Sequence, residues 1–445
     1  MRFDQGGFRA AVRRGICAPP RVLAPLYRPS RKLLNHLHAQ RSGPDAKRLR
    51  DHYKKLEERM PADALGTLRT ATALAWRGAN GYFPSYHFHV GEFLNDEWLS
   101  CVDWHKKFHR DHVSHQVMCY WVAKTILDAQ VSDLTFGTHT LRQRCVQQAI
   151  SAPECQYLRD YAEQMGAFAN LDTQFRPLRW EQLFDEAVFL ASMYHDIGYP
   201  WQFLQGIVGQ LNDNAPLPCM PSQMGVRELY DAYGARLLCY PLQGYSTPTA
   251  TQPPAWRHRS ETLLMDGQIK THGLPGALAF LYLNDILREY PAAAHQQSAG
   301  LFCLEWASLA ILMHDLQKIY VGSAGANQPP ENSQLRVSFR RDPLSFLITL
   351  VDQIQDFCRP NATFVPSGDK VRLSYPHACH AVDVTARPSG PMIITYCYQQ
   401  RADYDKNTFE HKPKAQREYF DPNVGYVDWT GLPINSVRLL TRYEP

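Results

Sequence analysis

Apolar side chains recur every three to five residues from 96 to 130, through Trp98, Val102, Phe108, Val113, Val117, Trp121 and Ile126. That spacing lays one apolar stripe along an α-helix and predicts a long buried helix, or two in line. The same period predicts helices over 141–164, 180–197, 226–238, 274–287 and 301–316, with Gly198 and Pro200 stopping the second of them. Asp342-Pro343 offers a capping carboxylate and a first-turn proline to a helix running to about 357. Helices over 45–58 and 62–76, and an aromatic, turn-rich loop over 78–89, complete the helical part.

Beyond Arg359-Pro360 the period falls to two. Val382, Val384 and Ala386 alternate before a turn at 388–391, and Ile394, Tyr396 and Tyr398 alternate after it. With the apolar runs at 362–365 and 371–375 they predict a small antiparallel meander, and no period is visible from Asp403 onward. Residues 211–258 are rich in proline and too long for a plain connection, so they read as an insertion lying over the core; 322–333 reads as a loop. The fold class is therefore mainly α, a helical bundle with a small β-rich C-terminal segment.

Composition refines this picture in three places. Hydrophobic content of 44% against 20% charged residues excludes wholesale disorder. The net charge of +4 is uneven: residues 1–50 carry twelve Lys/Arg against Asp4 and Asp45, a local +10 that leaves the rest of the chain at −6. A basic arm of this kind can recruit nucleic acid through its phosphates or act as a targeting segment, on a body not itself suited to nucleic acid. The eleven cysteines include no Cys-x-x-Cys pair, which speaks against a zinc ribbon or a disulfide framework and for reduced thiols in a cytoplasmic compartment. No apolar run reaches the roughly 18–20 residues needed to span a bilayer, so no membrane partner is expected.

Candidate chemistry lies where polar groups interrupt the apolar helices: His115, the adjacent His195-Asp196, His272, His314 and Asp352. The pair closes the run Ala187 to Tyr194, and burying an imidazole beside a carboxylate is costly unless they are paired or bound to a metal. Asp352 follows Leu344, Phe346, Leu347, Leu350 and Val351, so its carboxylate borders a core face, where it must find a cation or shift its pKa. Singly, each has a plainer reading. A lone His on an apolar helix is more often a satisfied core residue than a ligand, an Arg would serve Asp352 as well as a metal, and Asp315 reads as a helix-end carboxylate facing water.

Their order points further. Arg110-Asp111-His112-Val113-Ser114-His115-Gln116, Tyr194-His195-Asp196-Ile197-Gly198-Tyr199-Pro200, Thr271-His272-Gly273-Leu274-Pro275-Gly276-Ala277-Leu278 and the run from Pro343 to Asp352 follow one another within 96–358. This series resembles the HD-domain superfamily of metal-dependent phosphohydrolases. The resemblance implies an HD helical bundle over 96–358 that carries the 211–258 insertion. The basic arm 1–50, a helical lead-in 51–95 and the β-rich segment 359–445 lie outside it.

The resemblance also implies roles. His115, His195, Asp196 and Asp352 would hold a first divalent cation, with Asp196 bridging to a second held by His272 and His314. Imidazole and carboxylate donors suit Mn, Fe, Zn or Ni better than Mg. Two cations about 3.5–4 Å apart can activate a shared water and clamp an in-line phosphoryl displacement. His112, three residues ahead of His115, is the candidate proton donor to the leaving oxygen, and Arg110, Lys270 and Lys318 are candidates for holding a substrate phosphate. The expected activity is hydrolysis of a nucleotide or another small phosphate ester. Two alternatives remain beside it: a di-iron oxygenase built on the same ligand order, and a nucleotide-binding protein of this fold without turnover.

Overall fold

The computed structural model describes residues 1–14, 112–129, 136, 138–199, 224–238, 271–287, 294–317, 320, 336–357, 363–367, 370–374, 379–399 and 406–444. Strand β1 (Arg2–Asp4) and helix α1 (Gln5–Arg13) come first. They are followed by α2 (His112–Leu127), α3 (Leu141–Ser151), α4 (Gln156–Gln164), α5 (Arg176–Tyr194), α6 (Met224–Leu238), α7 (Gly273–Leu287) and α8 (Ala294–His314). Next are β2 (Val337–Ser338), α9 (Pro343–Ile354), β3 (Thr363–Ser367), β4 (Lys370–Ser374), β5 (Ala381–Ala386) and β6 (Pro391–Gln399). The chain closes with α10 (Lys406–Phe420), β7 (Val427–Asp428) and β8 (Ser436–Glu444). The protein is mainly α, and no described helix is long and apolar enough to cross a membrane.

Helices α5 and α8 form the centre. Helix α8 packs on α5, α7 and α9, and α5 also receives α2 and α3. Both are apolar on nearly every face, as helices surrounded by others must be. Trp180 and Phe184 of α5 meet Phe302 and Trp306 of α8, with ring centroids 5.7–6.2 Å apart in each pairing with Trp306. Trp306 is fully buried, and its indole N–H donates to Asp342 Oδ1 at 3.0 Å. The same oxygen caps α9 by accepting the N–H groups of Leu344 and Ser345, and Asp342 Oδ2 accepts the Ser345 hydroxyl. One carboxylate thus starts α9 and ties it to α8, as the Asp342-Pro343 signal predicts.

In its secondary structure the protein departs from the sequence reading in four places. The helix expected over 141–164 is two helices, because Pro153 lacks the N–H that would continue α3 and starts a 3-10 turn instead. The arm expected over 1–50 begins as folded chain: β1 pairs antiparallel with β5, and Phe3 and Phe8 are fully buried against Trp121. The expected meander is a mixed sheet of order β1-β5-β6-β8 beside a separate β3-β4 hairpin, with β8 parallel to β6. The stretch beyond Asp403 supplies α10, the crossover that a parallel pair requires, and β8 itself. The helices expected over 45–58 and 62–76, the loops at 78–89 and 322–333, and most of the 211–258 insertion lie outside the described residues. The six cysteines among the described residues are buried, and no disulfide is present among them.

The sheet braces the end of α9. Tyr396 donates to the Gln353 carbonyl at 2.5 Å, and Lys412 of α10 pairs with Asp356 at 2.6 Å while lying 3.6 Å above the Tyr396 ring. Gln416 of α10 bonds the edge of β8 on both sides, donating to the Val437 carbonyl and accepting from the Leu439 N–H.

Asp342 supplies the test of this core. Asp342→Ala removes the cap and strands the Trp306 indole, and should cost about 2–4 kcal/mol in denaturant unfolding. Burial raises the Asp342 pKa above its ordinary 3.8, so the folded state holds this proton longer than the unfolded chain does. Its contribution is then greatest at acid pH and declines as pH rises through the folded-state value. Asp342→Asn, which keeps Oδ1 and cannot ionise, should therefore lose less stability at neutral than at acid pH.

Candidate metal centre

Five elements converge on one point. His115 comes from the first turns of α2, His195 and Asp196 from the C-terminal end of α5, and His272 from the residue before α7; His314 closes α8, and Asp352 lies near the end of α9. All six are buried or nearly so, with Asp352 the most open at 22% side-chain exposure.

The imidazoles meet tip to tip. His115 Nε2 lies 3.1 Å from His195 Nε2, and His272 Nε2 lies 3.0 Å from His314 Nε2. Asp352 Oδ1 is 3.0 Å from His115 Nε2 and 3.9 Å from His195 Nε2. Asp196 stands between the two pairs: Oδ2 faces His115 Nε2 at 3.6 Å, and Oδ1 faces His272, His195 and His314 Nε2 at 3.1, 3.5 and 3.8 Å. Nitrogen donors bound to one cation at 2.0–2.1 Å stand about 3.0–3.4 Å apart, so both imidazole pairs have the spacing of shared ligation.

The other ring nitrogens decide what the tips can do. His195 Nδ1 donates to the Ser192 carbonyl at 2.9 Å, and His314 Nδ1 to the Ile311 carbonyl at 2.7 Å. Both carbonyls lie three residues back at a helix end, where the last C=O groups have no intrahelical donor. His115 Nδ1 donates to Gln355 Oε1, an orientation set by Gln355 Nε2, which donates to the Phe357 carbonyl at 2.9 Å. His272 Nδ1 lies 2.9 Å from Asp315 Oδ2, out of hydrogen-bond alignment, and the same oxygen accepts the His272 backbone N–H at 2.6 Å. With each Nδ1 facing an acceptor, Nε2 is the nitrogen turned inward and offers a lone pair whenever the ring is neutral, the arrangement in which outer acceptors orient metal-binding imidazoles. Imidazole nitrogens 3.0–3.1 Å apart need a shared proton or a cation between them, and four such tips around Asp196 fit a metal.

Electrostatics agree. Burial pushes His195 down to about 4, so it is neutral at physiological pH and able to ligate. Burial opposes charge on His272 as well, but Asp315 and Asp196 outweigh it and hold this group up to about 9. Two carboxylates around one imidazole favour positive charge there, whether a proton or a metal ion. Burial would raise Asp352, yet the hydrogen bond and charge of His115 keep its carboxyl well below the usual range.

The structure brings together His115, His195, Asp196, His272, His314 and Asp352. His112 is the first residue of α2, but its side chain lies outside the described residues, as do Arg110, Lys270 and Lys318. Asp315 does not face water: it is buried against His272, because α7 begins directly on the end of α8. Sequence reading also passes over Gln355 and Cys119. Their signal is spacing, since Gln355 falls three residues after Asp352 and Cys119 four after His115, each on its neighbour's helical face.

Gly198 makes the convergence possible. A Cβ there would stand 1.9 Å from the His272 carbonyl oxygen and 2.7 Å from the Gly276 nitrogen. Tyr199 next to it stacks on the His272 ring, centroids 3.9 Å apart. Gly198→Ala should push His272 off its position and lower the metal-to-protein ratio measured by plasma mass spectrometry. Gln355→Leu leaves His115 Nδ1 without its acceptor and should weaken metal binding about 10–100-fold in competition with a chelator, whereas Gln355→Glu should retain most of it. No family model, no curated protein and no solved structure matches this chain, so its functional reading rests on these side chains and their geometry.

Proposed function

We propose that this protein is a metal-dependent phosphohydrolase or phosphodiesterase of the HD type, hydrolysing a nucleotide or another small phosphate ester. The observation that carries the proposal is the pair of inward-facing imidazole tips on either side of Asp196. In this reading α2, α5, α7, α8 and α9 form the HD bundle. His115, His195, Asp352 and Asp196 would hold one cation; His272, His314 and Asp196 would hold the other. Divalent cations bound there would acidify water and draw charge from a phosphoryl group, the chemistry that phosphoester hydrolysis needs at neutral pH.

The chain's own residues do the positioning. Asp196 lies within 3.1–3.8 Å of all four imidazole tips and would be shared by both positions. Gln355, Asp315 and the carbonyls of Ser192 and Ile311 hold the rings so that little reorganises during reaction. Asp352 is the most open ligand, so substrate approaches on its side. His112, less than one turn ahead of His115, is the residue assigned to protonate the leaving oxygen.

The test is turnover of a panel of nucleotides and model phosphodiesters by the metal-stripped chain after addition of Mn, Fe, Zn, Ni or Mg, with oxygen uptake followed in parallel. Phosphate or nucleoside monophosphate should appear without oxygen uptake, and Asp196→Asn should abolish it. His112→Ala should lower kcat on the order of 10²-fold or more with metal content unchanged. Oxygen consumption coupled to substrate loss, or full activity in Asp196→Asn, would overturn the proposal.

A further inference from the structure

The two halves of the centre are not alike. The half formed by Asp196, His272 and His314 presents nitrogen and oxygen donors to one another, whereas the half formed by His115, His195 and Asp352 also contains the thiol of Cys119. One donor atom from each of His115, Cys119, His195 and Asp352 can be chosen so that all lie within 4.8 Å of one another. Cys119 is buried, and its Sγ lies 3.7 Å from His115 Nε2. Nitrogen and sulfur donors on one tetrahedral cation, at about 2.05 and 2.3 Å, stand about 3.6 Å apart. The sulfur is equally distant from His115 Nδ1, so it lies beside the ring, and rotation about its single χ angle is what would swing it toward the tip.

We propose that Cys119 gives the first cation position a sulfur donor, so that this half of the centre selects a thiophilic cation while the other half takes a harder one. The inference rests on the dinuclear reading above and goes beyond it, since the HD ligand set contains no sulfur. Placement of the thiol follows from the helix: Cys119 is one turn after His115 on α2 and therefore shares its face. Ligation replaces the S–H bond by a sulfur–metal bond and releases one proton to solvent, with no change of oxidation state. Soft thiolate shifts preference toward Zn-like cations, while imidazole and carboxylate alone leave room for Mn or Fe. A cation has a path to this position, because the Asp352 carboxylate beside it is partly exposed.

The test uses the full chain, stripped of metal and titrated with Co²⁺ and Cd²⁺. The wild-type protein should develop a near-ultraviolet thiolate-to-cobalt charge-transfer band at the intensity of one thiolate, and a cadmium NMR shift typical of a sulfur-containing site. Cys119→Ser should bind the same number of Co²⁺ ions without the band, and its Cd²⁺ affinity should fall on the order of tenfold or more, with Mn²⁺ affinity little changed. A band that persists in Cys119→Ser overturns the inference. So does the binding of two Co²⁺ by wild type with no band and a cadmium shift lacking sulfur, which requires no variant to fold and leaves the dinuclear centre standing. Failure of the wild-type chain to bind Co²⁺ at all overturns both.

Discussion

Four imidazole tips and a carboxylate held together out of water are the constraint on which the rest of this structure depends. Each ring gives up its hydration, and its inner nitrogen stands 3.0–3.1 Å from another imidazole nitrogen. Such an arrangement is unfavourable in itself and becomes favourable when positive charge occupies the space between the tips. The outer acceptors ensure that this is the side offered. Two of them, the Ser192 and Ile311 carbonyls, are groups that any helix end leaves without a donor, so the ends of α5 and α8 satisfy their own backbone with the same histidines that they present inward.

That economy explains why the candidate ligands sit at helix ends. His195 and His314 close the two central helices, and His272 stands just before α7 begins, where its carbonyl accepts the Gly276 N–H. The close approach of Gly198 to this turn brings the end of α5 and the start of α7 into direct contact. Asp315, following His314, then reaches both the ring and the backbone of His272. A short stretch on each of three chain segments thereby fixes three of the four rings.

The fourth ring and Asp352 depend on more distant parts of the chain. His115 is oriented by Gln355, Gln355 by the Phe357 carbonyl, and the chain beyond α9 by the sheet through Tyr396 and Lys412. Phe3 stacks on Phe357 as well as against Trp121, so the first strand and the C-terminal sheet support the same corner. Stiffness there keeps the His115 ring and Asp352 aimed, so that little reorganises when positive charge enters the site. The exposure of Asp352 leaves the corner open to solvent on one side.

The sequence by itself determined the helical period, the α9 cap at Asp342-Pro343 and the six polar residues that the fold brings together, because each is a local signal: a stripe, a capping residue, a polar group in an apolar run. It did not reveal the first strand, α10 or β8. Residues 1–14 look like a basic arm until β5 offers β1 a partner, and α10 is polar with Pro413 inside it, carrying no clear apolar stripe. Only the tertiary structure decided that Asp315 faces His272 rather than water, that Gln355 orients His115 and that Cys119 lies beside the first pair of rings. These relations join residues far apart in the chain or depend on which way a ring turns, and packing alone settles such matters.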